Sequence, residues 1–149
     1  MVGNRARGWR LLALLVLMVA LPARAKPPRE VASALAAWTA AVQSGDATRL
    51  VGLMAPGDTL EITSGLTPPE TLTAESLRAR LLAGEANRLG LASALNLPLA
   101  RGIRKRGKEY SAAARDCPEV EWIFVRVPAQ GGQPSRVRLA RIRRVFLEC

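Results

Sequence analysis

Residues 119–127 read EVEWIFVRV, and this stretch decides the fold class. It is rich in β-branched and aromatic residues, which favour strands. Residues 136–147 follow after a glycine-containing loop, and there arginines alternate with apolar residues. The alternation changes parity near Ala140–Arg141, which predicts a bulge at that point. The end of the chain is therefore predicted to form antiparallel strands, and residues 108–114 are predicted to add a weaker strand.

The first part of the chain has a different, helical periodicity. Val31, Leu35, Trp38 and Val42 lie on one face at helical spacing, which predicts a helix over residues 29–43. Asp46 is a favourable N-cap residue for a second, short helix over residues 47–54. Helical segments thus precede the predicted strands.

The middle of the chain is predicted from its turn residues. A brief strand is expected over 59–63, and a loop over 64–71, because prolines and a glycine interrupt the latter. Thr73 is expected to cap a further helix, and a helical piece over 86–95 should follow it. Residues 101–108 read RGIRKRGK and are expected to form a basic turn.

This order predicts an α+β fold, in which N-terminal helices pack on one face of a curved antiparallel β-meander. The helical hairpin at residues 36–46 reads AAWTAAVQSGD, and Leu50, Leu53 and Met54 follow it. It resembles the NTF2-like (SnoaL-like) superfamily, whose members often show an aromatic residue in the first helix and a small-Gly-Asp turn. The clear match covers about residues 31–55. The resemblance implies a cone with a pocket between helix and sheet. The pocket candidates are Trp38, Asp46 and Trp122; the alternative, which we favour, is that the tryptophans belong to the core and that Asp46 only caps a helix.

The start of the chain has the three parts of a secretory signal peptide. Arginines precede the apolar run Leu11–Leu21, and an Ala-Arg-Ala site ends at Ala25. The run is about half of the ~20 residues that a membrane span needs, so an uncleaved anchor is the less favoured alternative. We expect cleavage after Ala25 and a periplasmic or secreted mature chain, a single domain of residues 26–149 without a transmembrane segment.

Composition excludes several classes of site. The sequence contains no histidine, which removes Ser-His-Asp and Cys-His nucleophile systems and the commonest zinc ligand. We therefore expect no metal, no cofactor and no catalytic residue from these classes. Without residues 1–25 the net charge falls from +10 to +6, because that segment carries four arginines and no acid. The mature chain remains clearly basic.

Cys117 and Cys149 are the only cysteines. Export places them in an oxidising compartment, where a single intrachain disulfide is the simplest outcome. The alternatives are that both remain reduced or that Cys149 pairs between two chains.

Two basic runs are candidate anion-binding elements. They could form one face for an anionic envelope component or an acidic protein, or simply a solvated surface. Nucleic acid is not expected as a partner, because export separates the protein from most nucleic acid and because no aromatic residues interleave the charges. The candidates are Arg101, Arg104, Lys105, Arg106, Lys108, Arg136, Arg138, Arg141, Arg143 and Arg144.

The functional expectation is an exported, non-catalytic envelope protein that binds a ligand or an anionic partner. The alternative is a small pocket enzyme of the NTF2-like isomerase or hydrolase type that uses carboxylates. Such chemistry needs two carboxyl groups held near each other, which sequence spacing does not reveal. The carboxylates available to it are Asp46, Asp58, Glu61, Asp116 and Glu121.

Overall fold

The computed structural model describes residues 26–91, 102–114 and 119–145. Two helices open it: α1 spans Arg29–Ser44 and α2 spans Ala47–Val51. Gly45 ends α1 in the left-handed conformation, with φ of 66°, and its amide donates to the carbonyl of Val42. Glycine adopts this conformation without a Cβ penalty, so the predicted stop at this residue is confirmed.

The described strands form one six-stranded mixed sheet. They are β1 Thr59–Ser64, β2 Thr67–Thr73, β3 Arg104–Arg106, β4 Glu109–Ala114, β5 Glu119–Val127 and β6 Arg136–Val145. Their order in the sheet is β2-β1-β6-β5-β4-β3. Strands β4 to β6 form the predicted antiparallel meander, β3 extends it by pairing with β4, and β1 joins it by pairing parallel to β6. The α+β class is confirmed, and the sheet extends beyond the meander.

The bulge in β6 is where the sequence predicts it. Phe124 pairs with Leu139 and Ile123 pairs with Arg141, so Ala140 is the extra residue. Leu139 and Ile142 are consequently both buried on the same face. Because of the bulge, the apolar residues before and after the change in alternation face the same core.

Residues 64–71 are not a loop, as the sequence suggested, because Thr67–Thr73 forms edge strand β2. Two residues, Pro68 and Pro69, stand opposite Thr63 alone, where the register of the β1–β2 pair shifts. Residues in a bulge of an edge strand need not donate an amide hydrogen bond to a neighbouring strand, so prolines are tolerated there. The helix α3, Ala74–Leu82, then begins at the predicted cap Thr73, whose hydroxyl and Ser76 form a capping box.

Three further boundaries differ from the sequence prediction. Helix α2 ends at Val51 rather than at residue 54. Residues 86–90 form successive turns rather than a helix, and 92–95 lie outside the described residues. The predicted basic turn contains the short strand β3, because the glycine at 107 lets the chain reverse into β4.

The core lies between α1 and one face of the sheet. Trp38 of α1 and Trp122 of β5 meet edge to face, with ring centroids 6.3 Å apart and planes at 79°. Trp122 is fully buried, and its Nε1 donates to the carbonyl of Gly90 at 3.3 Å. We call this side of the sheet the helix face and the opposite side the outer face.

Candidate functional site

The strands that carry the two basic runs are not neighbours in the sheet, although Arg106 and Arg143 meet at Glu121 on one of its faces. Strand β3 is at one edge of the sheet, and β4 and β5 separate it from β6. Neighbouring strands are about 4.8 Å apart, so the backbones of the two basic strands are about 14 Å apart. Strand alternation further divides each run between the two faces of the sheet.

The outer face carries most of the arginines of the sheet strands, and carboxylates are placed among them. Arg136 donates to both oxygens of Asp58 at 2.6 and 2.7 Å. The guanidinium of Arg141 lies 3.3 Å from the carboxylate of Glu61. The register of β6 against β1 creates this second contact, because Glu61 stands directly opposite Arg141. These arginines therefore act in ion pairs that tie β6 to its neighbours.

Glu121 is the buried carboxylate of the outer face. Its side chain is 7% exposed, Arg143 donates to it, and Arg106 approaches its other oxygen at 4.0 Å. Glu121, Arg106 and Arg143 together line a cleft on this face. Glu121 does not lie between helix and sheet, where the predicted pocket enzyme would need an acid.

Asp58 is the carboxylate with a clearly shifted pKa. Burial is the largest single influence and would raise the pKa, but hydrogen bonds from Arg136 and from the amide of Ala55 oppose it. The positive charges of Arg136 and Arg138 add to these bonds, and the pKa of Asp58 falls below its ordinary value. In turn, the hydrogen bond to Asp58 raises the pKa of Arg136. A carboxylate held ionised in this way is poorly suited to donate a proton near neutral pH.

The pocket candidates have mainly structural roles. Trp38 and Trp122 fill the core and line none of the clefts described here. Asp46 lies at the rim of a cleft of about 430 Å³ among the three helices. Its Oδ1 accepts hydrogen bonds from the amides of Thr48 and Arg49 at 2.8 and 3.2 Å, so it caps α2 as predicted.

The hairpin of β3 and β4 has a different electrostatic character. We call residues 104–108 the basic hairpin; it contains Arg104, Lys105, Arg106 and Lys108, all exposed. Arg106 has the 4.0 Å contact with Glu121, and the other three cations form no ion pair within the described parts of the chain. Three cations without an ion pair among the described residues thus lie together at this edge of the sheet.

A cleft of about 310 Å³ lies on the helix face of the basic hairpin. Lys105, Lys108, Tyr110 and Arg126 line it, together with Gly107 and Pro128. Arg126 was not among the sequence candidates, although strand alternation from the buried Trp122 places it on the same face. The sequence could not show that the β3–β4 turn lies beside it.

Several candidates lie outside the described residues, namely Arg101, Asp116, Cys117, Cys149 and the predicted signal peptide at 1–25. Arg144 is described, and its Nη1 donates to the carbonyl of Arg88. No helix within the described ranges has the length and apolar character that a bilayer crossing requires. In the same ranges, no group of three or more potential metal-ligating side chains comes together.

Comparison with known proteins finds similarity to solved structures. No family model matches the chain, and no curated protein matches it. The chain is similar to an NTF2-like protein with a cystatin-like fold from Novosphingobium aromaticivorans, solved by crystallography at 1.16 Å resolution. The two are 18% identical, the match covers 97% of this chain and 93% of that chain, and the TM-score is 0.47.

Proposed function

We propose that this chain is an exported, non-catalytic protein of the cell envelope that binds an anionic partner through the basic hairpin. One observation carries the proposal. On β6, Arg136, Arg141 and Arg143 have carboxylate partners, whereas Arg104, Lys105 and Lys108 have none within the described residues. Clustered like charges repel one another, and a counter-charged partner would relieve that repulsion.

The carboxylates give the enzyme alternative little support. Asp58, Glu61 and Glu121 each form an ion pair with an arginine, and Asp46 caps a helix. None of these four carboxyl groups lines the cleft beside the basic hairpin. A binding role therefore uses cations that form no ion pair within the described ranges, while a catalytic role would require breaking structural contacts.

The binding test compares two variants with the same change in net charge. The first reverses Arg104, Lys105 and Lys108 to glutamate, and the control reverses the exposed helix-side cations Arg49 and Arg78 together with Arg88. Purified mature protein is sedimented with vesicles containing anionic lipid and with isolated cell-wall material, across a salt series. We expect salt-sensitive binding that the hairpin variant loses and the control retains. Equal losses, or no binding at low salt, would overturn the proposal.

Export has its own test. The tripartite start and the Ala-Arg-Ala site support cleavage after Ala25, so the amino terminus of the exported protein should be Lys26. A full-length chain in the membrane fraction would contradict release from the membrane.

The proposed Cys117–Cys149 bond is tested separately. It should leave no titratable thiol in the unfolded, unreduced protein. Two free thiols or a reducible dimer would contradict the intrachain bond.

A further inference from the structure

We propose that the cleft beside the basic hairpin is a binding site for the phosphate group of an organic phosphate. The proposal rests on the proposed function, because it names the site and the chemical class of the anionic partner. The phosphate could belong to a phospholipid headgroup or to a soluble phosphate ester, and the experiment below separates these sources.

The sheet register brings the donors of the cleft together. Lys105 stands opposite Tyr110, and Tyr110 stands opposite Phe124, so all three share the helix face. Arg126 is two residues beyond Phe124 and returns to that face. Lys108, in the turn of the hairpin, completes the group around the cleft. Three cations from three separate strand or turn positions thus converge on one volume.

The lining of the cleft supplies donors and no carboxylate. Two lysines, an arginine and a tyrosine are among the residues that line its volume of about 310 Å³. The Tyr110 hydroxyl forms no hydrogen bond within the described parts of the chain. A phosphate offers several strong acceptor oxygens and matches guanidinium and ammonium donors at once. The cleft also has room for a small carbon body against Tyr110 and Pro128.

In the free protein, the carboxylate of Glu30 occupies Arg126 and would compete with a phosphate for it. Its Oε2 accepts a hydrogen bond from Arg126 at 2.8 Å, and the two side chains are 58% and 49% exposed. Exposed ion pairs of this kind are weak, so a phosphate could displace the carboxylate. Removing the charge of Glu30 should therefore strengthen ligand binding, whereas a site that used Glu30 would be weakened.

The experiment measures binding by titration calorimetry at low salt, using glycerol 3-phosphate and, separately, phosphatidylglycerol vesicles. Glycerate has a similar carbon body with a carboxylate in place of the phosphate, and it serves as the ligand control. Lys105→Glu is compared with Arg104→Glu, since the two residues are adjacent on β3, change the charge equally and lie on opposite faces of the sheet. Circular dichroism verifies that each variant is folded.

We expect Lys105→Glu to weaken phosphate binding at least about tenfold and Arg104→Glu to weaken it no more than about threefold. Glu30→Gln should tighten it about two- to fivefold, and Glu75→Gln, an exposed control on α3, should leave it unchanged. Binding of the ester alone or of vesicles alone, with this pattern, identifies the source of the phosphate. Either outcome, binding of the ester or binding of the vesicles, supports the site.

Two results would overturn the site while leaving the proposed function intact. One is an equal loss in Lys105→Glu and Arg104→Glu, which would mean that the partner responds to the charge of the hairpin and not to the cleft. The other is glycerate binding as tightly as glycerol 3-phosphate. Absence of binding to any anionic ligand, vesicle or cell-wall material would overturn the proposed function together with the site.

Discussion

At the scale of single residues, Asp58 shows how the basic β6 is accommodated in this protein. Its side chain is 9% exposed and accepts two hydrogen bonds from Arg136 and one from the amide of Ala55. The acid precedes β1 and the arginine begins β6, so the pair joins segments that are far apart in the sequence. The contact neutralises one arginine and fixes the turn before β1.

Asp58→Asn should lower the free energy of unfolding by about 1–3 kcal/mol at neutral pH, because Arg136 loses a charged acceptor. The pKa of Asp58 is lowered in the folded state, so its stabilising effect is complete above the ordinary pKa of about 4. The effect should fade as the pH drops through the lowered pKa, since protonation breaks the pair. Urea unfolding of both proteins across pH measures this difference.

Glu61→Gln is the control for this prediction. Its pair with Arg141 is more open to solvent, with side chains 35% and 37% exposed, so the variant should lose less than about 1 kcal/mol. Two results would contradict the stabilising role of the Asp58–Arg136 pair. One is a loss of unfolding free energy in Glu61→Gln as large as that in Asp58→Asn. The other is a difference in unfolding free energy between Asp58→Asn and the parent that stays constant in acid.

Gly90→Ala should be strongly destabilising, because both the backbone conformation and the close packing at this position require glycine. Its φ is 76°, and an added Cβ would lie 3.0 Å from the Cγ2 of Ile142 and 3.3 Å from the Cγ1 of Val120. Gly84 has almost the same φ, 77°, but nothing within 4 Å of the added Cβ. Gly84→Ala should therefore cost about 1–2 kcal/mol for the backbone alone, and Gly90→Ala should cost about 1–3 kcal/mol more for overpacking.

Thermal and urea unfolding of the two alanine variants provide the measurement. Equal losses of stability in Gly84→Ala and Gly90→Ala would show that packing against Ile142 and Val120 has no effect. The carbonyl of Gly90 also accepts the Trp122 Nε1 bond, so Gly90→Ala should change the near-ultraviolet circular dichroism of that tryptophan.

At the scale of elements, the two bulges contrast in how they could be predicted. The bulge at Ala140 follows from the sequence, because Leu139 and Ile142 can share a face only if one residue is extra. The bulge of β2 does not follow, because Pro68 and Pro69 are the usual signals of a loop. Only the neighbouring strand β1, which pairs with Leu72 and Glu70, makes this segment a strand.

The prolines of β2 should protect an exposed sheet edge. We expect Pro68→Val with Pro69→Val to increase self-association, because valine restores amide donors and β propensity at the edge. Static light scattering across a concentration series measures the change. Thr71→Val, on the same exposed strand, is the control because it adds β propensity without adding donors. A double variant that stays as dispersed as the parent would argue against this role.

At the scale of the whole molecule, the contact of Trp38 with Trp122 couples the helical part to the sheet. Both side chains are buried, and the edge-to-face geometry adds to the energy of burial. Trp38→Ala should lower the free energy of unfolding by about 3–5 kcal/mol, as is typical of a large buried aromatic residue. Denaturant unfolding followed by the emission of Trp122 measures the loss.

Trp38→Phe is the matched variant, because it keeps an aromatic ring against Trp122 and should recover a substantial part of the lost stability. A loss below about 1 kcal/mol for Trp38→Ala would mean that the helix is not held to the sheet by this contact. Ala36→Ser, on the exposed side of α1, should have little effect on stability.

The sequence by itself determined the helix at the start, the strand 119–127, the bulge at Ala140 and the caps Asp46 and Thr73. These features depend on local periodicity and on side chains that bond to amides two or three residues away. The tertiary structure alone decided the strand at β2, the division of the cations and the cleft at the basic hairpin. Each of these depends on which strands become neighbours. The parallel pairing of β1 with β6 brings Glu61 to Arg141, whereas Arg104, Lys105 and Lys108 lie near the opposite edge and form no ion pair with any residue that the structure describes. Charge pairing across a sheet requires a register that no local pattern specifies.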